Sequence, residues 1–453
     1  MNIRSKISTL AVLGLLSFGA VSCSDFLQPE PRNSLDRTQV FTDLEGAQAV
    51  LTGTYGNLLS ANNLGLRVPL FSDLLADNLA HVGTFPTFSQ IKNRSILVDN
   101  TEVTSMWSSL YSTVNRANNL IAYAPGITAP EATKNQIVAE AQFIRALAYF
   151  YLTNYWGDVP LVLTPTTTPD NTLNVARTPQ SAVYDQIVAD LTAAAPNLPT
   201  STNPARATRW AALALQSRVA LYRQQWADAA RLADQVIAGP FQLNASYRTA
   251  VTAENPSESI FEVQFDAQTQ SSFAFFLLPT ANGGRNEISP TGPGSTLPTA
   301  YEAGDLRKDA TISNGTFTLN GRTVPTGTSI KYVDPGTGTD NFKAIRLAEM
   351  LLNSAEAKAR QNDLPGALTA LNRVRTRAGL PVAVATLTQA QLLEQIERDR
   401  RVELALEGHR WFDLIRTGRA QQVLSLTDAR RLLLPIPFRE TVNNPNITQN
   451  PGY

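Results

Sequence analysis

The chain has 453 residues, and its 38 Lys and Arg balance 38 Asp and Glu, so no net field exists to gather nucleic acid or an acidic ligand. A single cysteine excludes an intramolecular disulfide and a cysteine metal cluster, which leaves stability to a sizeable hydrophobic core. Only 17% of residues are charged, so the surface must be rich in Thr, Asn, Gln and Ser, a composition suited to neutral, hydroxyl-rich ligands.

The first segment has three zones. Arg4 and Lys6 are basic, residues 7–20 are apolar, and Ala20, Val21 and Ser22 lead to Cys23. That order is the secretory-signal pattern. The apolar run falls short of the roughly 20 residues that span a bilayer. A cysteine at its end matches a lipoprotein processing site, so residues 1–22 are expected to be removed and Cys23 lipidated, anchoring the chain to a membrane by lipid alone. Residues 23–40, with Pro29 and Pro31, read as an extended tether ahead of one domain over 41–453.

The body opens with helical patterning. Asp43 is placed to cap a helix through Ala47, Val50, Leu51 and Tyr55. His81, Phe85 and Phe88 read as lying in a loop punctuated by Gly83 and Pro86. Over 102–122, Val103, Trp107, Leu110, Val114, Ala117 and Ile121 recur at spacings of three and four. Over 135–156 the apolar stripe is so wide that neighbours must pack on several sides. Two segments then repeat one another. Tyr222-Arg223-Gln224-Gln225 closes one helix before Trp226 opens the next, and Arg360-Gln361-Asn362-Asp363 does the same before Leu364. Ala229, Ala233 and Val236 after the first turn, and Ala367, Leu371 and Val374 in register after the second, give the tetratricopeptide-type hairpin, which must stack to bury its apolar face. The fold class expected is mainly α, a scaffold of helical hairpins over 41–240 and 343–420. An irregular insertion at 241–342 interrupts it, with a strand at 260–265 and hairpin turns at Asn314-Gly315 and Asn320-Gly321.

Signatures of catalysis are few. His81 and His409 are the only histidines, and no Gly-x-Ser-x-Gly elbow, His-Glu-x-x-His or phosphate loop occurs. No cofactor and no metal is implied. Glu302, Asp305 and Asp309 are the one carboxylate group that a helical glycoside hydrolase could use. The block at 399–416 carries Arg400, Glu403, Glu407, Arg410, Trp411, Asp413 and Arg416. Its three- and four-residue spacings favour ion pairs along and between helices over an anion clamp.

Several blocks together resemble the SusD/RagB family of Bacteroidetes outer-membrane lipoproteins. They are AEAQFIRALAYFYLTNYWGDVPL at 139–161, residues 298–312, 344–357 and 367–381, and DRRVELALEGHRWFDLIRTG at 399–418. The ending Leu434-Pro435-Ile436-Pro437, Asn444-Pro445-Asn446 and Asn450-Pro451-Gly452-Tyr453 is similar to the family's closing signature. Ser24-Asp25 after Cys23 is similar to the start that directs such lipoproteins to the outer face of the outer membrane. The resemblance implies about four tetratricopeptide-like hairpins and capture of a glycan or other small nutrient. It also implies a SusC-like TonB-dependent transporter as partner and no enzymatic activity. A scaffold for outer-membrane assembly, binding peptides, is a further class open to stacked hairpins.

Sugars are held by aromatic faces and by planar polar groups that bond paired hydroxyls. Aromatics in loops are therefore the candidates. Phe85, Phe88 and His81 lie in the first loop with Asp73 and Arg94 nearby; Phe273, Phe275 and Phe276 lie in a second, followed by Asn282 and Arg285. All five tryptophans fall in expected helices, which favours a short oligosaccharide or a non-sugar nutrient over a long glucan.

Overall fold

The computed structural model describes residues 40–166 and 174–453. The expected signal segment, Cys23 and the tether up to residue 39 lie outside them. The first half is α1 (Leu44–Leu58), α2 (Arg67–Leu75), α3 (Pro86–Asn93), α4 (Thr101–Tyr123), α5 (Glu131–Trp156), α6 (Gln180–Ala194), α7 (Arg209–Tyr222) and α8 (Trp226–Ile237). Short strands join them: β1 (Ala80–His81), β2 (Val159–Pro160) and β3 (Arg177–Thr178). The interrupting region holds α9 (Tyr247–Thr252), β4 (Ser259–Val263), α10 (Phe273–Leu277), β5 (Ile288–Ser289), α11 (Leu306–Thr311), β6 (Thr318–Leu319), β7 (Arg322–Thr323) and β8 (Phe342–Arg346). The chain then returns to helices: α12 (Leu347–Arg360), α13 (Leu364–Arg377), α14 (Gln389–Glu403), α15 (Arg410–Arg416), α16 (Ala420–Leu424) and α17 (Phe438–Asn443).

The long helices stack as antiparallel neighbours. α1 packs on α4, α4 on α5, α5 on α6, α7 on α8, α8 on α12, and α12 on both α13 and α14. Local chemistry sets the ends. Asp43 accepts the Gly46 amide at 2.9 Å to start α1. Gly157, at φ +73°, closes the 26-residue α5 in a conformation open to glycine. The two repeated turns are built alike, with Gln224 and Asn362 both at positive φ two residues before the next helix. Ala141, Ala148, Ala229, Ala233, Ala355 and Ala367 are fully buried, so small side chains line the close helix contacts.

The interrupting region is tied to the scaffold rather than appended to it. β4 pairs antiparallel with β8, about 80 residues on by sequence, and all ten residues are buried. The strand expected at 260–265 forms as β4, but its polar position does not face solvent. Instead Glu262 is buried and pairs with Lys343 at 3.2 Å. Asn320 and Gly321, both at positive φ, turn β6 into β7.

A buried ionic network joins this region to the C-terminal block. Arg346 reaches Glu407 at 2.8 Å, Glu258 at 3.0 Å and Glu403 at 2.6 Å. Arg377 also bonds Glu403, and Arg307 bonds Asp305 and Asp399, both at 2.8 Å. Arg400 holds Asp413 at 2.8 Å, Arg410 holds Asp77 at 2.8 Å, and Arg416 holds Glu356 at 2.7 Å. Trp411 lies in the core beside them. Each charge in this block has an opposite partner, which is the condition for burial. No arginine of the trio Arg400, Arg410 and Arg416 is left over to clamp an anion.

Candidate functional site

Strand β1 pairs with β5 in the register Ala80↔Ser289 and His81↔Ile288. This two-residue ladder brings together the two aromatic segments, which are separated by about 190 residues in sequence. Glu287 organises the junction. It is buried, its backbone carbonyl accepts the amides of Val82 (3.0 Å) and Gly83 (3.1 Å), and its carboxylate accepts the Phe85 amide. The same carboxylate faces His81 Nε2 at 3.0 Å and accepts Arg285 Nε at 3.2 Å. Burial works to raise its pKa, but the Phe85 amide, His81 and Arg285 outweigh it and hold the carboxyl below its ordinary value. Gly83 is required here because a Cβ would lie 2.3 Å from the Glu287 carboxylate.

From this junction the aromatic rings climb from core to surface. Phe71 meets Phe88 edge-on at 5.2 Å, and Phe88 stacks on Phe276 at 5.5 Å. Phe276 in turn touches Phe85 (6.3 Å) and Phe275 (5.4 Å). Phe275 is 42% exposed, and the Arg285 guanidinium lies 4.0 Å over the Phe85 ring. Arg285 Nη2 donates to Thr84 Oγ1 at 3.3 Å, while Nη1 has no partner among the described residues. The result is a ledge with exposed ring surface beside free N–H donors. Such a ledge can stack a flat C–H face and bond adjacent hydroxyls.

Of the candidates picked from sequence, His81, Phe85, Phe276 and Arg285 meet on this ledge. The others do not reach its surface. Asp73 is fully buried and accepts from Asn78 Nδ2 (2.6 Å) and the amides of Leu406 (3.1 Å) and Gly408 (3.2 Å). Burial pushes its pKa up to about 6. Phe88 and Phe273 are core residues, Phe273 stacking on Tyr332 at 4.4 Å. Asn282 is buried against the Arg322 carbonyl. Arg94 donates to the Leu75 carbonyl at 2.7 Å and so caps the end of α2. These aromatics were sought as loop residues, but Phe88 belongs to α3 and the phenylalanines at 273, 275 and 276 belong to α10. Pro86, read as a breaker, stands in the first turn of α3, where its missing N–H costs nothing.

Two of the three carboxylates that a hydrolase could use are otherwise engaged. Glu302 bonds Arg375 at 2.8 and 3.1 Å, which holds its pKa down to about 2, the reverse of what a general acid needs. Asp305 caps α11 and pairs with Arg307 in the buried network. Asp309 is exposed. Glu287, the residue that builds the ledge, was not singled out: nothing marks a lone glutamate as buried. Its one trace is Gly83, a glycine where two backbones meet.

Two family models match the chain, one described as "SusD family" over residues 301–431 and one as "Starch-binding associating with outer membrane" over 25–221. Among curated relatives, SusD-like protein P2 of Formosa agariphila is 26% identical, over 96% of this chain and 97% of that protein. Among solved structures, a laminarin-binding SusD-like protein superimposes with a TM-score of 0.77 at 27% identity, covering 91% of this chain and 100% of its own. Surface glycan-binding protein A from Bacteroides fluxus gives a TM-score of 0.78 at 25% identity, with 91% and 100% covered.

Proposed function

The chain belongs to the SusD/RagB family, and on that premise we propose that it is a cell-surface glycan-binding lipoprotein that captures an oligosaccharide on the Phe85–Phe276–Arg285 ledge. It hands the ligand to a SusC-like TonB-dependent transporter in the outer membrane, and a lipid on Cys23 holds it there. The observation that carries the reading is the ledge itself. Two distant segments, each rich in phenylalanine, are joined by a short ladder and a buried glutamate, leaving Phe275 and Arg285 facing solvent. The names of relatives that bind starch, laminarin or surface glycans support the ligand class. Binding without turnover is the role, in line with the binding named for its relatives. No helix among the described residues is long and apolar enough to cross a membrane.

The test is binding of the mature protein to a glycan panel that includes laminarin and starch oligosaccharides, followed by extraction of the native complex in mild detergent. Retention of a glycan and co-purification of one TonB-dependent transporter are expected. A protein that binds no glycan and always elutes alone overturns the reading.

A further inference from the structure

A second cleft, of about 550 Å³, opens between α4, the segment 160–166 and the C-terminal residues 440–447. It shares no residue with the ledge. Its size falls within the roughly 300–1,000 Å³ of small-ligand pockets. Both walls are fixed by side chains. On one side Tyr111 donates to the Pro160 carbonyl at 2.8 Å, and Asn118 donates to the carbonyls of Val162 (3.0 Å) and Thr164 (3.1 Å). Tyr149 both donates to and accepts from Val162, and Asn115 accepts the Thr166 amide at 2.9 Å. On the other side Asn444 donates to the Val175 carbonyl at 3.0 Å. The segment 160–166 is thus pinned open as an extended strip, so the cleft is preformed and a ligand need not order it.

The lining is mixed in a particular way. Leu161, Leu163 and Pro165 give an apolar strip, with Leu163 37% exposed. Opposite stands Glu440, half-buried, with no ion pair among the described residues. Burial raises its pKa, against the pull of the Trp107 indole and of Arg439. Apart from the Trp107 indole the carboxylate has no donor among the described residues, and an apolar ligand would strip the water from its remaining lone pairs without replacing those bonds. A ligand that offers both an apolar face and paired hydroxyl donors meets both walls.

We infer that this cleft is a second binding site, which takes one or two rings of a neutral sugar, with adjacent hydroxyls donating to Glu440 and the C–H face laid on Leu161, Leu163 and Pro165. It rests on the glycan-capture reading for the ligand class, while its geometry is independent of the ledge. The role that follows is to hold a second part of the same chain, or a second chain, beside the body.

The experiment uses the full mature protein labelled with 5-fluorotryptophan, the Trp107 signal being assigned with Trp107→Phe. Maltotriose, laminaritriose and, separately, butylammonium are titrated. At least one trisaccharide should shift the Trp107 signal saturably, and should still do so in Arg285→Ala, whose ledge is disabled. Glu440→Gln should weaken that response about tenfold, the loss of one charge-assisted hydrogen-bond pair. Leu163→Asp, at an exposed position, should weaken it as well. A trisaccharide that binds the protein without moving Trp107, an unchanged response in Glu440→Gln, or a response to butylammonium alone overturns the assignment and leaves the ledge standing. Absence of all trisaccharide binding overturns both.

Discussion

Replacing Glu403 by Gln tests whether the C-terminal charge block is part of the frame. The carboxylate is fully buried and accepts from Arg346 at 2.6 Å, from Arg377, and from Arg307 at 3.4 Å. These guanidiniums hold its pKa far below the ordinary glutamate range despite burial. A glutamine has nearly the same volume but brings one acceptor and one NH₂ group, so a donor faces a donor and a positive charge is left uncompensated. Breaking one side of a buried pair costs about 3–5 kcal/mol. Against a total stability of about 5–15 kcal/mol, that is about a fifth or more of what holds the domain together. Urea unfolding followed by circular dichroism should show the midpoint falling with little change in slope. Glu394→Gln, exposed on the same helix, should stay within about 0.5 kcal/mol of the parent. A loss under about 1 kcal/mol for Glu403→Gln would refute the reasoning, since the network would then be worth no more than a surface pair.

Three further outcomes follow. Asp73, raised to about 6 from an ordinary 3.8, binds a proton more readily folded than unfolded, so its contribution to stability falls as pH rises from about 4 to about 6. That slope amounts to about 3 kcal/mol over the window; Asp73→Asn should remove it and leave only the similar slope of Asp340, so the pH dependence should roughly halve, and an unchanged pH profile would contradict the assignment. Gly83→Ala should push Glu287 off the β1–β5 junction and loosen the ledge, seen as faster amide exchange at 81–88 with the helical core protected; equal exchange throughout would show the close approach to be unimportant. Phe275→Ala removes a ring that is 42% exposed and meets only Phe276 edge-on, so the unfolding midpoint should shift little while glycan affinity drops about fivefold, the worth of one aromatic contact.

Sequence periodicity revealed the long helices because their signal is local. The stripe Val103, Trp107, Leu110, Val114 and Ala117 is the buried face of α4, and the turns before Trp226 and Leu364 carry their own polar residues. It missed α2, where Val68 through Leu75 are all buried and no stripe can stand out. The partners of β1 and β4 were out of reach for another reason: each lies many tens of residues away, and a two- to five-residue strand does not name its partner. The ledge was half legible. Phenylalanines in clusters pointed to both segments, but which rings face solvent depends on Glu287 and on the twist of α3 and α10, so Phe88 and Phe273 went to the core while Phe85 and Phe275 stayed outside. The charged block was legible for a simpler reason. Carboxylates and arginines in such number must pair if the helices that carry them are buried.

The most direct test of the central claim is calorimetric titration of the mature protein with the best ligand of the glycan panel, repeated on Arg285→Ala and on Phe275→Ala with Arg285→Ala. The account predicts saturable binding by the parent, weakened about tenfold by the single change and lost by the double, with all three proteins keeping the same helical circular dichroism. Equal affinity in all three proteins, or no glycan bound by the parent, would contradict it.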